Sequence, residues 1–262
     1  MVNKPIGFFD SGVGGVSVLR AARRLMPEED YLYFGDSANA PYGVKSPEAV
    51  QTLTLAAVAF LLDKGAKALV IACNTATSAA IQAVRERYPD LPVVGLEPAV
   101  KPAVERLAAE KVLVMATCGT LAGEKFRQLA DAFEASAQII PLPCPGLVEL
   151  IESGETDGPR VESFLRERLA DVGSLDHAAV VLGCTHYPFI EPVLRRLLPA
   201  GASVIDGSEG AAQQLERLLE QQGLRCRSKR LGTVAFFNSA SDAARLNDLC
   251  EHLLQLPLQR GE

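Results

Sequence analysis

The sequence predicts an α/β fold with mainly parallel sheets, arranged as two similar lobes. Three observations carry this expectation. Short apolar runs alternate with amphipathic stretches along most of the chain, the rhythm of strand-helix-strand units. Two cysteines, Cys73 and Cys184, each follow such an apolar run, at the carboxyl end of a strand where open α/β sheets place their chemistry. Turn-rich crossings at Glu97-Pro98-Ala99-Val100-Lys101-Pro102 and Ile205-Asp206-Gly207-Ser208-Glu209-Gly210 then divide the chain. Residues 1–97 plus 208–262 form one expected lobe, which carries Cys73; residues 98–207 form the other, which carries Cys184.

The elements follow in order. Ile6 to Phe9 reads as a strand, Val16 to Leu25 as a helix and Tyr31 to Phe34 as the second strand. Ser46-Pro47-Glu48 opens the next helix with a cap residue, a first-turn proline and an acid. Lys64-Gly65 closes it. Ala68 to Ala72 is a strand, and Ala76 to Tyr88 is a helix stopped before Pro89. Val93-Val94, Lys111 to Met115, Gln138 to Pro141, Ala179 to Leu182 and Ser203 to Ile205 complete the strands. Arg225 to Arg230, a short basic run, reads as a solvated loop.

Composition narrows the function classes. The chain has 262 residues, 48% of them apolar and 22% charged, ordinary values for a globular protein with a real core. A net charge of −6 gives no bulk attraction to nucleic acid or anionic membranes. The start runs straight into Ile6–Phe9, too short for the apolar region of a signal peptide. The greasiest helix candidate, Leu53 to Leu62, contains Thr54 and falls short of the ~20 residues a membrane span needs. A cytoplasmic protein is expected, with no nucleic-acid or membrane partner.

The six cysteines lie at 73, 118, 144, 184, 226 and 250, the closest pair 24 apart (250 − 226). No CxxC or clustered Cys/His spacing exists, which argues against a structural zinc site. Cys118, Cys144, Cys226 and Cys250 read as small hydrophobes. Cys73-Asn74-Thr75 and Cys184-Thr185-His186 read differently. A thiol at a helix N-terminus gains thiolate character from the local positive potential. Asn74, Thr75 and Thr185 add donors for an anionic group, and His186 lies two positions past the second thiol. A matched pair of thiols suits a reaction that removes a proton from one face of a carbon and returns one to the other.

Other segments remain open on sequence alone. Phe9-Asp10-Ser11-Gly12-Val13-Gly14-Gly15 follows the first strand and turns tightly. A dinucleotide loop is one alternative, but Ser17 stands at the third glycine position of that fingerprint; a plain turn is another. Gly35-Asp36 to Pro41-Tyr42-Gly43 is dense in turn formers and is either a surface loop or a carboxylate-gripping nest. Thr117 and Thr120 end another strand. Glu149 and Glu152 lie near the helix stop at Ser153-Gly154 and are either solvated or aimed at a site.

Taken together, these segments resemble the glutamate racemases, cofactor-independent enzymes within the aspartate/glutamate racemase superfamily. The resemblance runs nearly end to end through Phe9 to Gly15, Gly35-Asp36, Pro41-Tyr42-Gly43, Ala72 to Ala76, Ala116-Thr117 with Gly119-Thr120, and Leu182 to Pro188. It implies an active site in the cleft between the two lobes, no cofactor and no metal. Cys73 and Cys184 would be the two acid/base residues, assisted by Asp10 and His186 respectively. Asp10, Ser11, Pro41, Tyr42, Gly43, Cys73, Asn74, Thr75, Thr117, Thr120, Glu152, Thr185 and His186 would hold L- or D-glutamate. The implied role is supply of D-glutamate for peptidoglycan, by a possible homodimer. The chain departs from the pattern at Asn39 and Lys45, where arginine is frequent, and at Phe126, where tyrosine is. It also starts without the N-terminal extension of members activated by a cell-wall precursor, so no such activation is expected. An aspartate or hydantoin racemase and a two-lobed binding protein are the competing classes.

Overall fold

The computed structural model describes residues 2–255; positions 256–262 of the first expected lobe lie outside them. The chain opens with β1 (Ile6–Asp10), α1 (Val16–Leu25), β2 (Tyr31–Gly35), α2 (Pro47–Asp63), β3 (Ala68–Ile71), α3 (Asn74–Arg87) and β4 (Val93–Gly95). It continues through α4 (Val100–Glu105), β5 (Lys111–Ala116), α5 (Cys118–Ala122), α6 (Glu124–Phe133), β6 (Gln138–Pro143), α7 (Leu147–Glu152) and α8 (Pro159–Leu169). It closes with β7 (Ala179–Leu182), α9 (Glu191–Leu197), β8 (Ser203–Asp206), α10 (Ser208–Gln221), β9 (Val234–Asn238) and α11 (Ala243–Gln255). Two compact units result. One runs to Leu96 and resumes over Ser208–Gln255; the other is Glu97–Gly207.

The first unit holds a five-stranded sheet in the order β4-β3-β1-β2-β9, and every pairing is parallel. β1 and β3 are buried along their whole length, as central parallel strands covered on both faces must be. α1 packs with α10 and α11, while α2 packs with α3. The second unit holds a four-stranded parallel sheet in the order β6-β5-β7-β8. Its core joins Val112 and Val114 of β5 to Ala179 and Val181 of β7, with Val100, Ala103 and Phe126 from the helices. Each buried Val, Leu or Ile side chain contributes about 1.5–3 kcal/mol relative to an exposed one.

The strand orders of the two sheets are the same once numbered within each unit. β4-β3-β1-β2 corresponds to β8-β7-β5-β6. The hydrogen bonds at the strand ends correspond too. Ala72 N donates to Phe9 O at 2.8 Å, and Gly183 N to Met115 O at 2.7 Å. Asp36 N donates to Asp10 O at 2.9 Å, and Cys144 N to Ala116 O at 3.0 Å. Cys73 and Cys184 therefore occupy one and the same register position in two copies of one topology.

Local chemistry sets the helix ends. Ser46 Oγ accepts from Ala49 N at 3.3 Å, with Pro47 and Glu48 in the first turn of α2, as the sequence predicts. α3 starts at Asn74, two residues before the expected Ala76, because Cys73 itself is the cap: its Sγ accepts from Ala76 N at 3.5 Å. The segment after Cys184 differs from expectation. It forms a 3₁₀ turn over Tyr187–Ile190, and the α-helix begins only at Glu191. Pro188 and Pro192 explain the delay, since each removes an N–H donor and disfavours helix in the residue before it.

β9 is absent from the sequence reading. Its short run Val234-Ala235-Phe236-Phe237 lies beside β2 in parallel, with Tyr31 opposite Val234 and Gly35 opposite Asn238. The basic run 225–230 also differs in part. Arg227 to Arg230 are exposed, but Cys226 is buried and the Arg225 side chain is only 9% exposed. Arg225 Nη1 lies 2.7 Å from Glu28 and 3.6 Å from Glu29, and Nη2 lies 3.5 Å from Glu216. Beneath it, Lys67 Nζ meets Glu29 Oε2 at 2.6 Å with both side chains 1% exposed. Lys67 also donates to Val2 O at 2.6 Å and Leu224 O at 2.8 Å, which uses all three ammonium donors. This cluster sits at the amino ends of β2 and β3, opposite the ends that carry Asp10 and Cys73. Among the described residues, no helix is long and apolar enough to cross a membrane.

Candidate active site

In each sheet the chain moves from its first strand to a neighbour on one side, then returns to add a strand on the other side. The loops leaving β1 and β3 thus diverge to opposite faces, as do those leaving β5 and β7. Such a switch of direction opens a crevice at the carboxyl ends of the two strands. The predicted site residues fall there. Asp10 and Ser11 follow β1, and Cys73, Asn74 and Thr75 follow β3. Thr117 follows β5, and Cys184, Thr185 and His186 follow β7.

In the first unit, Asp10 is fully buried and its Oδ1 accepts from Gly12 N at 2.9 Å. Ser11 Oγ lies 3.4 Å from Cys73 Sγ. Cys73 thus meets a hydroxyl on one side and the Ala76 N–H of α3 on the other. Asn74 is 5% exposed, and neither atom of its carboxamide has a hydrogen-bond partner in the structure. Burying such a group without partners is costly, and it leaves one donor group and one acceptor at the start of α3 open to a ligand. Thr75 is buried beside it.

The loop 36–43 has its own support. Asp36 is 5% exposed and accepts from Tyr42 Oη at 2.7 Å and from Asn39 Nδ2 at 3.0 and 3.1 Å. Burial, with the Asp36 hydrogen bond adding to it, raises the Tyr42 pKa far above the ordinary range. Its hydroxyl therefore stays protonated and donates. The Tyr42 ring packs on Phe9 with centroids 6.2 Å apart, so its side chain is turned into the core while Pro41 is exposed and Gly43 half-buried. Asn39, where the resemblance has arginine, is a loop brace here.

In the second unit, Cys184 Sγ lies 3.8 Å from His186 Nδ1, and His186 Nε2 lies 2.9 Å from Glu152 Oε1. Of the two acids near the end of α7, Glu152 is the one that meets His186. Burial alone would lower the His186 pKa, but its contacts with Cys184 and Glu152 outweigh that and raise it well above 6.5. Both contacts favour the protonated ring, with Nδ1 facing the sulfur and Nε2 facing the carboxylate. Thr117 Oγ1 caps α5 by accepting from Thr120 N at 3.2 Å, and the two hydroxyl groups lie 3.0 Å apart. Thr185 is buried next to Cys184. Cys144, at the position equivalent to Asp36, has its thiol pushed up to about 12 by burial and stays protonated.

The two thiols match in register and differ in surroundings. Ser11 corresponds to Thr117, but Asp10 corresponds to Ala116, so the second unit draws its acid from α7 through His186. Replacing Glu152 with Gln removes one support of the imidazolium. The pH at which His186 loses its proton should fall, and an NMR titration of the ring would read the change. An unmoved titration would show that Glu152 does not hold the charge.

The family profile described as Asp/Glu/Hydantoin racemase matches residues 16–215, which places the chain in a class of racemases, a kind of isomerase. A glutamate racemase of Clostridium perfringens (strain 13 / Type A) is 48% identical over 254 residues, 97% of each chain. The structure of glutamate racemase from Francisella tularensis with D-glutamate has a TM-score of 0.83 at 31% identity, covering 100% of this chain and 97% of that one. The Escherichia coli glutamate racemase with L-glutamate and the activator UDP-MurNAc-Ala has the same TM-score, 0.83, and the same identity, 31%, over 95% of each chain. The chain belongs to the Asp/Glu/Hydantoin racemase family, among the glutamate racemases.

Proposed function

We propose that the chain interconverts L- and D-glutamate with Cys73 and Cys184 as the two proton-transfer groups. The observation that carries this is their identical register position at the switch points of two copies of one topology. In one direction, the Cys73 thiolate takes the α-proton of D-glutamate; the C–H bond breaks and an S–H bond forms. The electron pair is delocalised onto the substrate carboxylate. The Cys184 thiol then gives its proton to the opposite face, forming L-glutamate and leaving a thiolate. The reverse direction exchanges the roles, so one thiol and one thiolate are present at the start of either turnover.

A thiol is a weak base toward an α-proton, so positioning and stabilisation of the developing carboxylate charge must lower the barrier. The Asn74 carboxamide, the Thr75 and Thr185 hydroxyls and the backbone of 41–43 are assigned to substrate, with Ser11, Thr117 and Thr120. Asp10 assists on the Cys73 side. His186, oriented by Glu152, assists Cys184. The wider role assigned is supply of D-glutamate for peptidoglycan in the cytoplasm. The test is incubation with L-glutamate in D₂O without added cofactor. Deuterium should enter the α-position as D-glutamate appears, and a folded protein that exchanges no α-hydrogen rejects the reading. L- and D-aspartate run in parallel separate it from an aspartate racemase.

A further inference from the structure

The loop 36–43 is held from a part of the chain some two hundred residues away. β9 ends at Asn238, and the turn after it lies against the 37–38 segment. Asn238 Nδ2 donates to Ser37 Oγ at 2.9 Å, and Ala38 N donates to Ser239 Oγ at 3.0 Å. Ser239 N donates to Gly35 O at 3.0 Å, and Ala240 N donates to Asn238 Oδ1 at 2.9 Å, which fixes the Asn238 carboxamide. The fit extends to the loop after β1. A Cβ at Gly35 would lie 2.9 Å from Asn238 Nδ2 and 2.6 Å from the Gly12 carbonyl oxygen. Tyr33 Oη donates to the same Gly12 oxygen at 2.8 Å. Asp36 N, bonded to Asp10 O, completes the connection.

We propose that Asn238 and Ser239 are positioning residues for the glutamate site, latching the loop that presents Pro41-Tyr42-Gly43; this rests on the function assigned above. Neither side chain belongs to the catalytic or substrate-binding set. They fix Ser37 and Ala38, Asp36 fixes Tyr42 and Asn39, and the backbone at 41–43 is thereby held in its binding conformation before substrate arrives. A loop held in advance loses less conformational freedom on binding. Contacts made equally in ground and transition states change KM and leave kcat.

The test is steady-state kinetics of Asn238→Ala, Ser239→Ala and the double variant in both directions, beside thermal unfolding. The double variant should show KM raised about 5- to 20-fold for both enantiomers, with kcat within about twofold of the parent. Ser239→Thr keeps the hydroxyl and should restore KM to near the parent value, which a purely structural effect of the Ser239 site would not do. An unchanged KM in the double variant, with the parent active, overturns the latch alone. A fall in kcat at unchanged KM also overturns it. Absence of turnover by the parent overturns the glutamate reading and the latch with it. Should Asn238→Ala fail to fold, Ser239→Ala and Ser239→Thr decide the matter, since Ser239 is exposed.

Discussion

Cys73→Ala and Cys184→Ala should each lose racemase turnover by at least the ~10²–10⁴-fold that a positioned proton-transfer group contributes, with the fold intact. Both thiols are buried, at 7% and 8% exposure, but alanine fills most of the same volume and adds no polar group. Thermal midpoints close to the parent value would show that chemistry, not folding, is what the substitution removes. The loss should appear in both directions for each variant, because every turnover needs one group to take a proton and the other to give one. Polarimetry from pure L- and pure D-glutamate measures this directly. Full activity in either variant would sink the two-base assignment, whatever the other does.

The largest stability effect should come from Lys67→Met. It leaves the Glu29 carboxylate buried, still near Arg225 but without its 2.6 Å partner, and strips donors from the Val2 and Leu224 carbonyls. Breaking a buried ion pair by removing one partner costs about 3–5 kcal/mol. The urea midpoint should fall accordingly at an unchanged slope. KM of the folded fraction should stay as in the parent, because Lys67 precedes β3 and Cys73 follows it. A loss under about 1 kcal/mol would mean that Arg225 and the Cys226 N–H, which donates to Glu29 Oε1 at 2.7 Å, together compensate Glu29.

Much of this architecture is legible in the sequence, for physical reasons that vary along the chain. β1, β3, β5 and β7 are continuous apolar runs because they are buried on both faces, and a run of that kind is visible without a structure. β9 is harder to see. It is an edge strand of mixed burial, so the run Val234 to Phe237 carries neither alternation nor length. The thiols were legible as a pair, but their surroundings were not. Nothing local tells a reader that Cys73 caps a helix while Cys184 precedes a 3₁₀ turn, unless Pro188 and Pro192 are weighed together. Arg225 looked solvated because its partners Glu28, Glu29 and Glu216 come from two other parts of the chain. Asp36 shows no role in the sequence, since its partners Asn39 and Tyr42 depend on how the loop folds back. Asn238 and Ser239 carried no sequence signal at all.

The unequal company of the two thiols, Asp10 on one side and His186 with Glu152 on the other, meets a thermodynamic boundary. Mirror-image amino acids have the same free energy in water, so their interconversion has an equilibrium constant of one. The kcat/KM values of the two directions must then be equal, whatever surrounds each sulfur. The difference between Asp10 and its counterpart Ala116 can make kcat unequal between the two directions only if it makes KM unequal in the same ratio. It therefore shows as unequal saturation by the two mirror forms and leaves the final mixture racemic.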